Sequence, residues 1–217
     1  NPSTWTKTLQ NEGIKVVHVV SSVKFAQKAE AAGVDAIVAE GFEAGGHNGR
    51  DETTTLCLIP MVRKAVTLPI LAAGGIASGA AMLAVMNLGA DGVQIGSRFV
   101  ATYESSAHQN FKNRIINLPE GETTLTLKEL TPVRLLSNPF ADEVKLAYQN
   151  RATIDDLKAL LGRARAKKGM FEGNLEEGEL EIGQNAAYIR KIQPVKDIFE
   201  TLLSDLKSAY SDLGKRC

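Results

Sequence analysis

The sequence predicts an α/β fold built on a parallel sheet, and three observations carry that prediction. Short β-branched runs alternate with helical patterns from the start of the chain to about Ala101. The strand candidates are apolar on both sides, as strands covered on both faces should be. Each is followed by a helix or helical turn, the order that makes neighbouring strands parallel. After about Tyr103 the alternation stops. Residues 1–107 are therefore expected to hold the parallel part, with about four strands, and residues 108–217 a smaller, mostly helical domain.

In chain order, "IKVVHVV" (Ile14 to Val20) is the first strand candidate. "VKFAQKAEAAG" (Val23 to Gly33) has its alanines at helical spacing and a glycine stop. "VDAIVAE" (Val34 to Glu40) is the second strand. "TTTLCLIPMVRKAV" (Thr53 to Val66) has a helical pattern in which Pro60 marks a kink or the first turn. "LPILAAGG" and "DGVQIGS" are the third and fourth strands, with the helix "SGAAMLAVMNLG" between them. Beyond the boundary, "SSAHQNFKNRI", "FADEVKLAYQNR" and "TIDDLKALLGRAR" have helical patterns, "TTLTL" suits a strand, and "PVRLLSN" is extended by its proline. "EGNLEEGELEIGQ" (Glu172 to Gln184) is acidic and irregular. "PVKDIFETLLSDLKSAY" is a terminal helix with proline in its first turn.

Bulk properties narrow the function. With 25 basic and 25 acidic residues the formal net charge is zero, which disfavours a nucleic-acid or membrane-surface partner, since both call for a basic excess. "GRARAKKG" (Gly162 to Gly169) is short and is expected to be a solvated helix end. No apolar run approaches a membrane span, and the first residues do not form a signal peptide. Cys57 and Cys217 are far apart and fit no ligand spacing, so a reducing, cytoplasmic setting is expected.

Chemistry is expected at the carboxyl ends of the strands, where parallel sheets place their sites. Three strands end in glycine-bearing loops: "EGFEAGGHNG", "AAGGIASG" and "QIGSR". Bare backbone N–H groups there can hold an anion, helped by the positive end of a following helix. The competing explanation is that Gly74, Gly75 and Gly96 serve tight turns. His47 stands at such an edge among Gly45, Gly46 and Gly49, which permit close approach to a flat ligand. His18 falls inside a strand and is expected to face a packed layer, and His108 is expected to be solvated. Metal-ligand spacings, a serine-nucleophile motif and the dinucleotide fingerprint are all absent from the sequence. Glu40 and Glu43 are candidate acids, though loop glutamates are usually solvated.

Together, "AEGFEAGGHNG", "TTTLCLIPMV", "LPILAAGGIASG", "GADGVQIGSRF" and "EGELEIGQ" resemble the nitronate monooxygenase family, formerly the 2-nitropropane dioxygenases. The similar flavin-dependent enoyl-acyl-carrier-protein reductases share these motifs. The resemblance implies a (β/α)8 TIM barrel with FMN at its C-terminal mouth and a smaller domain after the last strand, whose terminal helix returns to the barrel. It implies Gly74, Gly75, Gln94, Gly96 and Ser97 at the FMN phosphate, with serine where threonine is common at position 97. Glu40 and Gly45 would lie along the flavin, and His47 matches the catalytic histidine. "IKVVHVV" matches the fifth of eight strands, so the sequence is expected to be the C-terminal part of a longer protein, with half the barrel.

The function expected from the resemblance is oxidation of nitronates or nitroalkanes with O2 to carbonyl compounds and nitrite, with His47 as general base. Histidine titrates near neutrality and suits that task. The alternative is an enoyl-acyl-carrier-protein reductase using NAD(P)H, with acyl carrier protein as partner. In that setting the segment Glu172 to Glu181 is a candidate cation site, against a solvated loop. A third reading is a flavin-binding module without catalysis. The resemblance is compatible with a homodimer.

Overall fold

The computed structural model describes residues 1–215, so Cys217 lies outside the described residues, and Cys57 is a free, exposed thiol. The chain groups into two compact units of similar size. Unit 1 takes residues 1–43, 51–95 and 201 onward; unit 2 takes residues 44–50 and 96–200. The units are thus interleaved along the chain, where the sequence suggested two consecutive stretches meeting at 107/108.

Unit 1 begins with helix α1 (Pro2–Asn11) and continues as β1 (Val17–Val20), α2 (Val23–Ala31), β2 (Ala36–Glu40), α3 (Thr55–Ala65), β4 (Ile70–Ala73), α4 (Gly79–Asn87) and β5 (Gly92–Gln94). Strand β3 (Gly46–His47) leaves this sequence and belongs to unit 2. The four strands of unit 1 form one parallel sheet in the order β1-β2-β4-β5. All four strand expectations of the first part of the chain therefore hold.

The punctuation is local. Ser22 and Ser78 cap α2 and α4 through their hydroxyls. Gly33 and Gly89 follow the helices with φ of 79° and 110°, a conformation that favours glycine. Two residues after each glycine an aspartate braces the sheet. Asp35 accepts the Val16 N–H at 2.9 Å, and Asp91 accepts the Ile70 N–H at 2.8 Å. This twice-used Gly-x-Asp device is the physical form of the βα repeat. α3 runs through Pro60, which lacks the N–H that would bond the Leu56 carbonyl.

The register gives the sheet two unlike faces. Val20, Ile37, Ala39, Ile70 and Ala72 face the helices and form a core with Leu58, Ile59 and Val62 of α3. The other face carries Val17, Val19, Val38 and Leu71; Val17 is 48% exposed and Val19 49%. His18 shares the helix side with Val20, as expected.

Unit 2 contains α5 (Ser97–Val100), α6 (Gln109–Ile116), β6 (Thr123–Thr126), β7 (Val133–Leu136), α7 (Pro139–Gln149) and α8 (Ile154–Leu161). It is less helical than expected, because β3, β7 and β6 form an antiparallel three-stranded sheet in that order. One core gathers Phe111, Ile115, Leu136, Leu180 and Ile182; another gathers Leu127, Val133, Leu135, Phe140 and Val144. The long helix α9 (Val195–Gly214) starts in unit 2 and passes into unit 1 at Thr201. There the backbone at Asp205–Leu206 lies where a Cβ on Gly79 would have to go.

Two expectations need correction. "GRARAKKG" is a solvated helix end only in part: Gly162 caps α8 and Arg163 and Lys167 are exposed, but the Arg165 guanidinium lies 4.6 Å from the Phe140 ring and donates to the carbonyls of Leu160, Leu161 and Glu177. A planar fork of donors suits three carbonyls and an aromatic face at once. His108 is not simply solvated either. Its Nδ1 accepts the Asn110 N–H at 3.1 Å and caps α6, and the ring packs on Gly173.

Candidate functional site

In unit 1 the predicted residues line the carboxyl edge of the sheet. Glu40 of β2 and Gln94 of β5 both stand opposite elements of one row: Glu40 pairs with Ala73, and Ala73 pairs with Gln94. Residues opposite one another project to the same face. Gly74 and Gly75 follow Ala73 directly, with φ of 92° and 72°. Glu40 is half-buried, and that burial raises its carboxyl above its ordinary value.

The glycine turn is held by Thr55, which the sequence did not single out. The Thr55 hydroxyl lies 3.1 Å from the Ala73 carbonyl and 2.9 Å from that of Gly74. Glu43 is not a solvated acid: its carboxylate accepts the Thr55 N–H at 3.0 Å and caps the start of α3. An anionic side chain is favoured at a helix start. Gly74 is required by packing, since a Cβ would lie 2.7 Å from the Gly41 carbonyl oxygen. Gly75 is exposed and needs its glycine for its positive φ.

In unit 2 one short segment, Glu181–Ile182–Gly183, gathers Gly45, His47 and Ser97. A Cβ on Gly45 would run into the Ile182–Gly183 backbone, so only glycine lets the two chains meet. A Cβ on Gly46 would meet the Glu181 carboxylate. The Gly183 N–H donates to Ser97 Oγ at 2.9 Å. Leu135 of β7 bridges to Glu181, and the same strand pairs Val133 with His47.

Around His47 the chemistry is acid–base. Its ring is exposed and borders a cavity of about 230 Å3 lined by Leu127, Leu130 and Val133 together with Thr131, Arg165 and Glu179. Burial, then the charge of Glu181, push the Glu179 carboxyl up to about 7. Burial also raises Glu181, and the His47 charge works against that rise. "EGELEIGQ" was the signal available for Glu179, Glu181 and Gly183, but nothing local ties it to His47.

Gly96 differs from Gly45, Gly46, Gly74 and Gly75. Its φ is an ordinary −99°, and no protein atom lies within 4 Å of where its Cβ would stand. The fold itself does not demand glycine there. Beside it, Arg98 donates through Nη2 to Gln193 at 2.8 Å, whereas its buried Nη1 has no hydrogen-bond partner among the described residues. A buried guanidinium nitrogen without an acceptor is costly. Among the described residues no group of three or more His, Cys, Asp or Glu is placed to hold a metal ion, which includes the acidic segment before α9. No helix among them is long and apolar enough to cross a membrane.

The fold defines the class: α/β proteins in which parallel strands alternate with helices and the strand ends carry glycine turns. The chain belongs to the nitronate monooxygenase family, whose sequence profile matches residues 1–205. It is 32% identical over 219 residues to a nitronate monooxygenase of Pseudomonas aeruginosa, covering 95% of this chain and 61% of that protein. FabK from Thermotoga maritima is 38% identical, covers 100% of this chain and 68% of its own, and superposes with a TM-score of 0.92. A nitroalkane oxidase from Streptomyces ansochromogenes is 31% identical with a TM-score of 0.78, covering 97% of this chain and 62% of its own. The chain spans little more than half the length of such nitronate monooxygenases, 54% in one from Staphylococcus saprophyticus.

Proposed function

We propose that the protein acts as an FMN-dependent oxidoreductase that converts nitronates and nitroalkanes with O2 to carbonyl compounds and nitrite. One observation carries the reading: His47 is held on a glycine-framed strand beside carboxylates and a small cavity. Family membership supports it. On this reading unit 1 is the C-terminal half of a (β/α)8 barrel. The half-exposed Val17 and Val19 and the two unpaired edges, β1 and β5, are what four consecutive barrel strands would present. Residues 201 onward of α9 group with the sheet unit.

The residues present fit a phosphate-bearing cofactor. Gly96 leaves open space at a bare amide, Ser97 has a proton to donate, and Arg98 Nη1 lacks an acceptor. Gly74, Gly75 and Gln94 would complete the phosphate contacts, with Glu40 and Gly45 along the flavin. FMN, when bound, supplies the electron transfer that no side chain here provides. The neutral His47 imidazole takes the α-proton of a nitroalkane, and the electron pair of the broken C–H bond moves onto the nitro group.

A second reading, reduction of an enoyl thioester on acyl carrier protein by NAD(P)H, is favoured by the 38% identity to FabK over the whole chain. Anaerobic titration of the yellow, FMN-loaded protein separates the two. Slow bleaching by NADPH with turnover of a nitronate in air supports the oxidase; fast bleaching by NADPH overturns it in favour of the reductase. A yellow protein without turnover on either substrate overturns both.

A further inference from the structure

Two carboxylates of unit 2 remain without a role once His47 and the glycine turns are accounted for. Register places them with the histidine. His47 stands opposite Val133 and Glu181 opposite Leu135, two residues apart on β7, so both side chains project to one face. Gly46 intervenes with no side chain, and the Glu181 carboxylate occupies the space a Cβ would fill. Glu179, two residues earlier, lines the same cavity as His47.

We propose that Glu181 is a positioning residue for His47, its carboxylate laid over Gly46 to steady the imidazolium formed when His47 takes up a proton. This rests on the reading of His47 as the base.

Electrostatics supports the pairing. Two neighbouring, half-buried carboxyls do not both ionise cheaply. Burial raises both carboxyls; at Glu181 the His47 charge works against that rise, whereas at Glu179 the Glu181 charge adds to it and Arg165 pulls the other way. The charged groups facing the imidazole are thus Glu181 and Glu179 from the acidic segment and Arg165 from the turn after α8.

The test uses the FMN-loaded protein in two arms. In the first, the side-chain carboxyl resonance of Glu181 is titrated in wild type and in His47→Gln. The expected result is a shift to higher pH of about half a unit or more in the variant; an unmoved titration overturns the pairing. In the second, turnover of a neutral nitroalkane is followed against pH. Glu181→Gln is expected to lower kcat by about tenfold or more and to alter the pH profile, with KM and the rate on pre-formed nitronate retained. Glu181→Asp, which keeps the charge at shorter reach, should recover part of the loss. An unchanged kcat and profile in Glu181→Gln overturns the proposal. Unimpaired turnover in His47→Gln with a shifted Glu181 titration overturns the base reading instead and leaves the ion pair standing.

Discussion

Gly183 donates its backbone N–H to the Ser97 hydroxyl across 2.9 Å, joining residues 86 apart in sequence. The bond uses one lone pair of the hydroxyl and leaves its proton to be donated elsewhere. It also ties the turn after β5 to the segment that carries Glu181.

Ser97→Ala should therefore do two things. It orphans the buried Gly183 N–H, at a cost of about 1–3 kcal/mol, and it removes a donor to the proposed phosphate. Urea unfolding and FMN titration read the two effects separately, and Ser97→Thr should preserve both. An unaltered FMN affinity in Ser97→Ala removes Ser97 from the cofactor site.

Gly96→Ala and Gly45→Ala should diverge. A methyl at Gly96 meets no protein atom, so stability should stay within about 0.5 kcal/mol, while FMN affinity falls because the methyl enters the ligand's space. A methyl at Gly45 collides with the Ile182–Gly183 backbone, and overpacking of that kind costs about 1–3 kcal/mol. Comparable unfolding midpoints for the two variants would contradict this packing.

Thr55→Val keeps the shape of the side chain and removes the hydroxyl whose one proton is within reach of the Ala73 and Gly74 carbonyls and the Glu43 carboxylate. The expected loss is about 1–3 kcal/mol, accompanied by weaker FMN binding because the Gly74–Gly75 turn loses its brace. Differential scanning calorimetry with and without FMN would register both.

Glu179 should make stability fall with rising pH. Its folded-state carboxyl lies near 7 against an ordinary 4.5, so the folded chain holds the proton more tightly than the unfolded one. The penalty is absent below 4.5, grows between 4.5 and 7, and is complete above 7. Glu179→Gln should then stabilise the protein by about 1 kcal/mol at high pH, once solvent screening of a half-buried group is allowed for. In acid it should change nothing. Urea midpoints measured on both sides of that window decide it.

His47→Gln should lose turnover of neutral nitroalkanes by about a hundredfold or more and retain FMN. Pre-formed nitronates, which have no proton to surrender, should suffer much less. Equal losses on both substrates would assign His47 to binding and not to proton removal.

Much of unit 1 was legible from sequence because its signals are local. Ser22 and Ser78 announce helix starts, Gly33 and Gly89 announce stops, and four apolar runs mark the strands. The short strand at Gly46–His47 was not legible, since two residues carry no periodicity and their pairing partner lies on β7. Glu43 read as a solvated acid because its cap on Thr55 depends on where the loop folds back. Arg165 read as part of a solvated end because Phe140 and the Glu177 carbonyl reach it through the fold.

By itself the sequence determined the order of the βα units, the glycine-bearing strand ends and the lone histidine among them, since helix caps, turn glycines and apolar periodicity act over a few residues. Only the tertiary structure decided which carboxylates meet His47, which hydroxyl receives the Gly183 amide and which glycine is left with open space. Those choices depend on the register of β7 and on backbones meeting from distant parts of the chain, and contact at that range is a property of packed geometry with no local code.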